Sequence, residues 1–337
     1  MNKLPGFLFG IQAKKVGDDD DQMQSYVLQT PKNYTNHNVN VLHHREEVHV
    51  TSHQVERMQQ LPGIRSLTCR CQYPSISVDY DIPGFPLKVK LQALTPLIPG
   101  NAKDSAWPLA TFDFVVTNNS SDGTAIEVDV MQSALNFLGW DGHSSCCSNT
   151  VGYWKLNVNR PVVSNNDDTV NYAGWYLTKE DPTVDPEVVR GNLCLVGVTE
   201  DNNIDNTSNT NPKKNEEGKN RKKLGLLTSD DTVSEAQFWN AFVNRQFEDP
   251  KMAQPTPPSE REHTYIGGTV QTSVIEPNTT QKFRFVLTWY FPNRPCYALR
   301  SNVPTPIPVL GNRCAELVFG CNGRDEKISI TSASRSK

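Results

Sequence analysis

The sequence predicts an all-β chain, an antiparallel two-sheet β-sandwich with one amphipathic helix and long loops. Three observations predict it. Apolar and polar residues alternate with period two in segment after segment. Clusters of Asn, Asp, Ser, Thr, Gly and Pro separate those segments. One stretch stands out by combining a helical period with a helix start and a helix stop. Period two sets one face of a strand on a core and the other in water, and the polar clusters supply turn residues. The 20 Gly, 23 Pro, 13 Phe, 10 Tyr and 6 Trp suit a turn-rich sheet protein.

The chain opens on MNKLPGFLFGIQAKK, read as a strand with Phe7, Phe9, Ile11 and Ala13 on one face. Its apolar run is short and broken by Pro5 and Gly6, which argues against a secretory leader. Asp18 to Asp21 read as a solvated hairpin tip. Residues 31–60 hold five histidines and no clean period. Leu67, Cys69, Cys71 and Tyr73 then share one strand face. Leu87, Val89, Leu91 and Ala93 alternate with Lys88, Lys90 and Gln92. Ala110, Phe112, Phe114 and Val116 form the next inner face, and Ile126, Val128 and Val130 continue it. NNSSDG at 118–123 and EPNTT at 276–280 are turns. The second is expected to join Thr269–Ile275 to Gln281–Phe291 as a hairpin, with Phe283, Phe285, Leu287 and Trp289 facing inward.

The helix is expected near 232–248, packed on a sheet. Thr232 with Glu235, or Ser234 with Gln237, forms a capping box. Phe238, Trp239, Phe242 and Val243 follow at helical spacing, and Asp249-Pro250 ends the run. Residues 201–223 are almost free of apolar side chains, cannot offset their ordering entropy, and are expected to form a disordered insertion. Residues 323–337 read as a frayed tail.

Composition excludes several function classes. Lys+Arg 33 against Asp+Glu 37 gives a net charge of −4, which leaves no electrostatic footprint for nucleic acid. There is no run of 18 apolar residues to make a membrane-spanning helix, so a cytoplasmic location is expected. The eight cysteines contain no C-x-x-C pair, which argues against structural zinc, and they read as reduced thiols. Sequons at Asn33, Asn118, Asn119, Asn206 and Asn278 read as chance in an Asn/Ser/Thr-rich chain. Phosphate-loop, dinucleotide, nucleophile-elbow and zinc-helix signatures are absent from the sequence. His37, His43, His44, His49 and His53 read as solvated. Trp140-Asp141-Gly142-His143, beside Cys146 and Cys147, is the most reactive-looking cluster. It reads as a polar loop, with a Cys–His nucleophile pair as the alternative. No cofactor and no metal are expected.

A resemblance carries the reading further. LPGFLFGIQAK followed by SYVLQT resembles the early strands of the glycoside hydrolase family 116 N-terminal domain. The block FPLKVKLQALTPLIPGNAKDSAWPLATFDFVVTNNSS is the most specific match. It sets Pro96, Ile98, Pro99, Asp104, Ser105, Pro108, Phe112 and Asn118 where the family's strand–loop–strand core has them. FWNAFVNRQFEDP is similar to the family's helix. FVLTWYFPNR, Phe285 to Arg294, is similar to its last strand before the catalytic domain. The blocks come in family order over residues 4–294.

The resemblance implies a β-sandwich packed on a C-terminal (α/α)6 barrel, and retaining hydrolysis of β-glucosides, including glucosylceramide. That chemistry uses two carboxylates roughly 5–5.5 Å apart, which the family carries in the barrel. No catalytic residue transfers to this chain. The expected division is therefore a sandwich over 1–299 and a divergent tail over 300–337, with the barrel lacking from the chain as given. The expected barrel-facing surface is Asp104, Ser105, Phe291, Pro292, Asn293 and Arg294. The partner is a C-terminal barrel domain, with β-glucoside or glucosylceramide met through it, and peripheral membrane association follows only by family analogy. The competing reading is a free-standing carbohydrate-binding or structural sandwich using Trp107, Trp140 and Trp175. A hydrolase working through Asp141 and His143 is a third class.

Overall fold

The computed structural model of the chain describes residues 8–19, 22–28, 39–40, 47–48, 62–136, 138, 156–164, 170–180, 191–200, 222–230, 235–259, 264–290 and 328–330. In chain order these form β1 (Phe9–Lys15), β2 (Gln24–Val27), β3 (Val39–Asn40), β4 (Glu47–Val48), β5 (Ser66–Gln72), β6 (Ser75–Asp81), β7 (Leu87–Leu94), α1 (Ala102–Ser105), β8 (Leu109–Asn118), β9 (Ile126–Leu135), β10 (Asn157–Val163), β11 (Val170–Lys179), β12 (Asn192–Glu200), β13 (Lys223–Asp230), α2 (Glu235–Val243), β14 (Tyr265–Ile275), β15 (Thr280–Tyr290) and β16 (Ile328–Ile330).

The fold is an all-β sandwich of two antiparallel sheets. Among the described residues one sheet runs β13-β14-β9-β1-β2 and the other runs β10-β11-β12-β15-β8-β7-β6-β5-β16. The inner faces predicted by alternation meet between them: Val89, Leu91, Phe112, Phe114, Phe285 and Leu287 are all buried. Phe9 from the smaller sheet reaches across to Phe112 and Phe114, with ring centroids 5.6 and 5.2 Å away, and Phe114 meets Phe285 edge-on at 6.0 Å. Each fully buried Phe of this kind contributes about 1.5–3 kcal/mol.

The smaller sheet is covered on its other face as well. α2 lays Phe238, Trp239 and Phe242 over Leu8, Val27, Met131, Leu227, Ile266 and Val270. β1 is therefore buried on both faces, and this requires a glycine at position 10. A Cβ there would sit 2.9 Å from Trp239 Cζ3 and 3.1 Å from both Met131 Cε and Phe242 Cε1. Gly10→Ala should lower stability by about 1–3 kcal/mol through overpacking, read as a lower denaturation midpoint with α2 still formed.

The structure departs from expectation at several elements. α2 ends at Val243 rather than near 248, and its predicted cap at 232–234 lies outside the described residues. The helix stops because Arg245 takes a left-handed backbone, φ 54. The Arg245 N–H then donates to Phe242 O and the Gln246 N–H to Ala241 O, which is a Schellman closure.

The expected hairpin at 276–280 is a turn that changes sheets. β14 belongs to the smaller sheet and β15 to the larger. The turn at 118–125 carries β8 to β9 in the same way. Asn118, fully buried, locks the two crossings together. Its N–H donates to Thr279 O and its carbonyl accepts from Asn278 N–H, while its Nδ2 donates to Thr124 O and Ile275 O.

Ile328–Ile330 pairs with β5 where a frayed tail was expected. Val39–Asn40 pairs with Glu47–Val48 inside the stretch that showed no period. Residues 201–221 of the expected insertion, and all five histidines of the 37–53 cluster, lie outside the described residues.

Candidate functional site: an apolar end of the sandwich

Three neighbouring segments meet at one end of the larger sheet. They are the β5–β6 turn at 73–74, the β7–β8 connection at 95–108, and the last residues of β15. The Thr95 N–H donates to Pro74 O, which ties the first two. The Trp289 N–H donates to Pro108 O, which ties the connection to β15.

The connection is built rather than loose. Asn101 caps α1, its Oδ1 accepting from the Asp104 N–H at 3.1 Å and its Nδ2 donating to Asp104 Oδ2 at 2.6 Å. Ser105 Oγ accepts from the Ile98 N–H at 2.8 Å and donates to Ile98 O at 3.1 Å. Pro96, Pro99 and Pro108 fix φ along it and remove donors. Asn101, Asp104 and Ser105 are thus paired within the connection while Leu97, Ile98 and Trp107 stand in solvent. Tyr73, Leu94, Leu97, Ile98, Trp107 and Tyr290 are exposed at this end, and they make up six of the nine exposed large hydrophobics among the described residues. Scattered exposed apolar residues are ordinary, but a group gathered on one ordered end marks an interaction surface.

Asp104 and Ser105, predicted to face a barrel, are on this end, but their side chains are engaged within the loop. Phe291, Pro292, Asn293 and Arg294 lie outside the described residues and follow directly on Tyr290. Trp107 is 59% exposed on the same end. Trp140, with Asp141, His143, Cys146 and Cys147, lies outside the described residues.

Trp175 is a correction. It is fully buried between the sheets, its Nε1 donates to Gly268 O at 3.0 Å, and its ring packs on Gly267. Its indole has no surface left for a sugar. Sequence reading also missed Leu97, Ile98, Tyr73 and Tyr290. Leu97-Ile98 between two prolines was the available sign, because a turn sequence has no core into which to fold them.

The cysteines bring a second correction. Cys69 and Cys194 are free thiols, but Cys71 is disulfide-bonded. Burial pushes the Cys194 thiol up to about 11 and raises that of Cys69 as well. Neither is an activated nucleophile.

A family model described as "beta-glucosidase 2, glycosyl-hydrolase family 116 N-term" matches residues 7–324. A search of curated proteins found no match.

Proposed function

The chain belongs to the glycosyl-hydrolase family 116 N-terminal domain family, and from that premise we propose that it is the non-catalytic β-sandwich module of a β-glucosidase- or glucosylceramidase-like hydrolase, packing against an (α/α)6 catalytic barrel. One observation supports this reading above the others. The end carrying Leu97, Ile98, Trp107 and Tyr290 is ordered and apolar, and Phe291 to Arg294 continue the chain from it. In this reading β-glucoside or glucosylceramide meets the barrel, and the sandwich supplies the surface on which the barrel sits. Catalysis by two carboxylates about 5–5.5 Å apart then belongs to the barrel. The division into a sandwich over 1–299 and a tail over 300–337 is part of the same proposal. A cytoplasmic location with only peripheral membrane contact goes with it; the Cys71 disulfide opposes this part of the reading, and recovery of the protein in an oxidising compartment on cell fractionation would overturn it.

The test uses the purified chain, an aryl β-glucoside and a co-expressed catalytic domain from a full-length family member. The chain alone should release no aglycone and should co-elute with the catalytic domain. Leu97→Ser combined with Ile98→Ser and Trp107→Ser should abolish co-elution and leave the chain folded. Turnover by the chain alone, lost in an Asp141→Asn, His143→Ala variant, would make it an enzyme in its own right. The exposure of Trp107 favours the second reading, a free carbohydrate-binding sandwich. Saturable binding of a β-glucoside, lost in Trp107→Ala, with no co-elution, would decide for it.

A further inference from the structure

The inner face of the smaller sheet is not wholly apolar. Gln132 of β9 and Thr269 and Gln271 of β14 interrupt it, and all three are fully buried. Gln132 shares its strand face with Val128, Val130 and Ala134, which line the inter-sheet core. In the register of the sheet Gln132 stands opposite Thr269. Gln271 stands opposite Val130, one diagonal step from Gln132. Directly opposite residues have Cβ atoms about 4.5–5.5 Å apart, and diagonal neighbours remain within reach of a long side chain.

Two of the three side chains cross to the larger sheet. Thr269 Oγ1 donates to Ala173 O of β11 at 3.1 Å, and Gln271 Nε2 donates to Arg284 O of β15. The Gln132 amide does not. Neither its Nε2 nor its Oε1 has a protein partner, and Gln271 Oε1 has none either. Ser273 Oγ, two residues further along β14, is also unpaired, so four of the seven such atoms among the described residues fall on this one stripe. Beneath Thr269 and Gln271 the larger sheet presents Gly197, which has no side chain to offer them. Exchanging the O and N of the Gln132 amide leaves the same two atoms unpaired. Nearly all buried polar atoms are paired, because the low-dielectric interior makes an unpaired one costly.

We propose that Gln132, Thr269 and Gln271 form a binding site for an internal water molecule between the two sheets. The water accepts from Gln132 Nε2 and donates to Gln271 Oε1 and to Thr269 Oγ1. The Thr269 hydroxyl spends its proton on Ala173 O but keeps its acceptor lone pairs. Three partners is the usual number for a buried water, and a polar setting is what separates such a site from an apolar cavity that stays dry. The water brings the amide of β9 into the contact that Thr269 and Gln271 already make with β11 and β15. The site is enclosed by the sandwich itself and stands whether or not a barrel packs on it.

The experiment is solution nuclear magnetic resonance on the isotopically labelled full chain, read as Overhauser contacts between water and side-chain amides. The Gln132 resonance is assigned by its disappearance from Gln132→Met, which removes the amide and keeps the length of the side chain. The expected result is a contact between water and the Gln132 amide protons. Its laboratory-frame and rotating-frame signals should have opposite signs, the mark of a molecule held in place rather than passing. The Gln271 amide should show the same contact and lose it in Gln132→Met. Gln132→Leu serves in its place if the methionine variant loses its native thermal transition. Thr269→Val removes the hydroxyl of the site, and the contact at Gln132 should persist there, because two of the three partners remain. A contact that vanishes with Thr269→Val would be proton exchange through the hydroxyl and would overturn the proposal. So would direct contacts between the Gln132 and Gln271 amides with no water signal at either.

Discussion

Trp175→Ala should destabilise the protein by about 3–5 kcal/mol, the range for deleting a fully buried aromatic. Urea or thermal denaturation followed by far-ultraviolet dichroism reads it. Trp175 lies on β11 of the larger sheet, and its indole N–H crosses to the Gly268 carbonyl of β14 on the smaller one. The ring occupies the space that a Cβ at Gly267 would need, with Trp175 Cγ and Cδ1 both 3.0 Å from that position. Two consequences separate packing from hydrogen bonding. Trp175→Phe keeps most of the volume and loses the N–H donor, so its cost should be well below that of alanine. Gly267→Ala should be costly in the native background and much less so beside Trp175→Ala, because the clash partner is gone. That non-additivity is the signature of direct contact. Equal costs of Gly267→Ala in both backgrounds would show that the two positions are not pressed together.

Trp175 also marks where sequence reading stops. A tryptophan in a strand gives no local sign of which face it takes unless its neighbours alternate. On β11 they do not: Tyr172, Gly174 and Tyr176 on the outer face are as apolar as Ala173, Trp175 and Leu177 on the inner. β7, β8 and β15 were legible because Lys88, Lys90 and Gln92, Thr111, Asp113 and Thr117, and Lys282, Arg284 and Thr288 set polar residues between their inward-facing apolar ones. β9 was legible only in part. α2 covers its outer face, so it is buried on both sides and carries Asp129, Gln132 and Ser133 inside. The change of sheet at 276–280 was illegible for a different reason. The turn residues are those of a hairpin, and whether the two strands then pair is decided by β9 and β8, more than a hundred residues away. At the candidate site, Trp107 and Asp104 were legible through their loop, whereas the exposed group at that end exists only after three segments have been brought together.

Arg245 is the residue whose replacement should report most directly on the buried charge beneath α2. Asp129 is fully buried and accepts from Arg245 Nε at 3.0 Å, Gln12 Nε2 at 2.8 Å and Thr272 Oγ1 at 2.5 Å. Arg245 Nη2 also reaches Glu127 at 2.8 Å. Gln12 Nε2 donates in turn to Phe242 O in the last turn of α2. The helix terminus and the sheet are thus joined through one carboxylate. Arg245→Ala removes the cation and leaves that carboxylate buried, at a cost of about 3 kcal/mol. Arg245→Gly removes the same cation and also relieves the left-handed backbone, so it should be more stable than the alanine variant by about 1 kcal/mol. Arg245→Lys, a point charge unable to fork between two carboxylates, should fall between wild type and glycine. The pH dependence has a definite sign. Burial pushes the Asp129 carboxyl above its ordinary value of 3.8, and Arg245 is the largest opposing influence. Without Arg245 the native pKa rises further, so the native state binds a proton that the unfolded chain does not. Stability of the alanine variant should then recover as the pH falls through that raised pKa toward 3.8, and its deficit against wild type should narrow. A deficit that stays constant from neutral pH down through that window would mean that the loss comes from packing of the arginine stem rather than from the uncompensated charge.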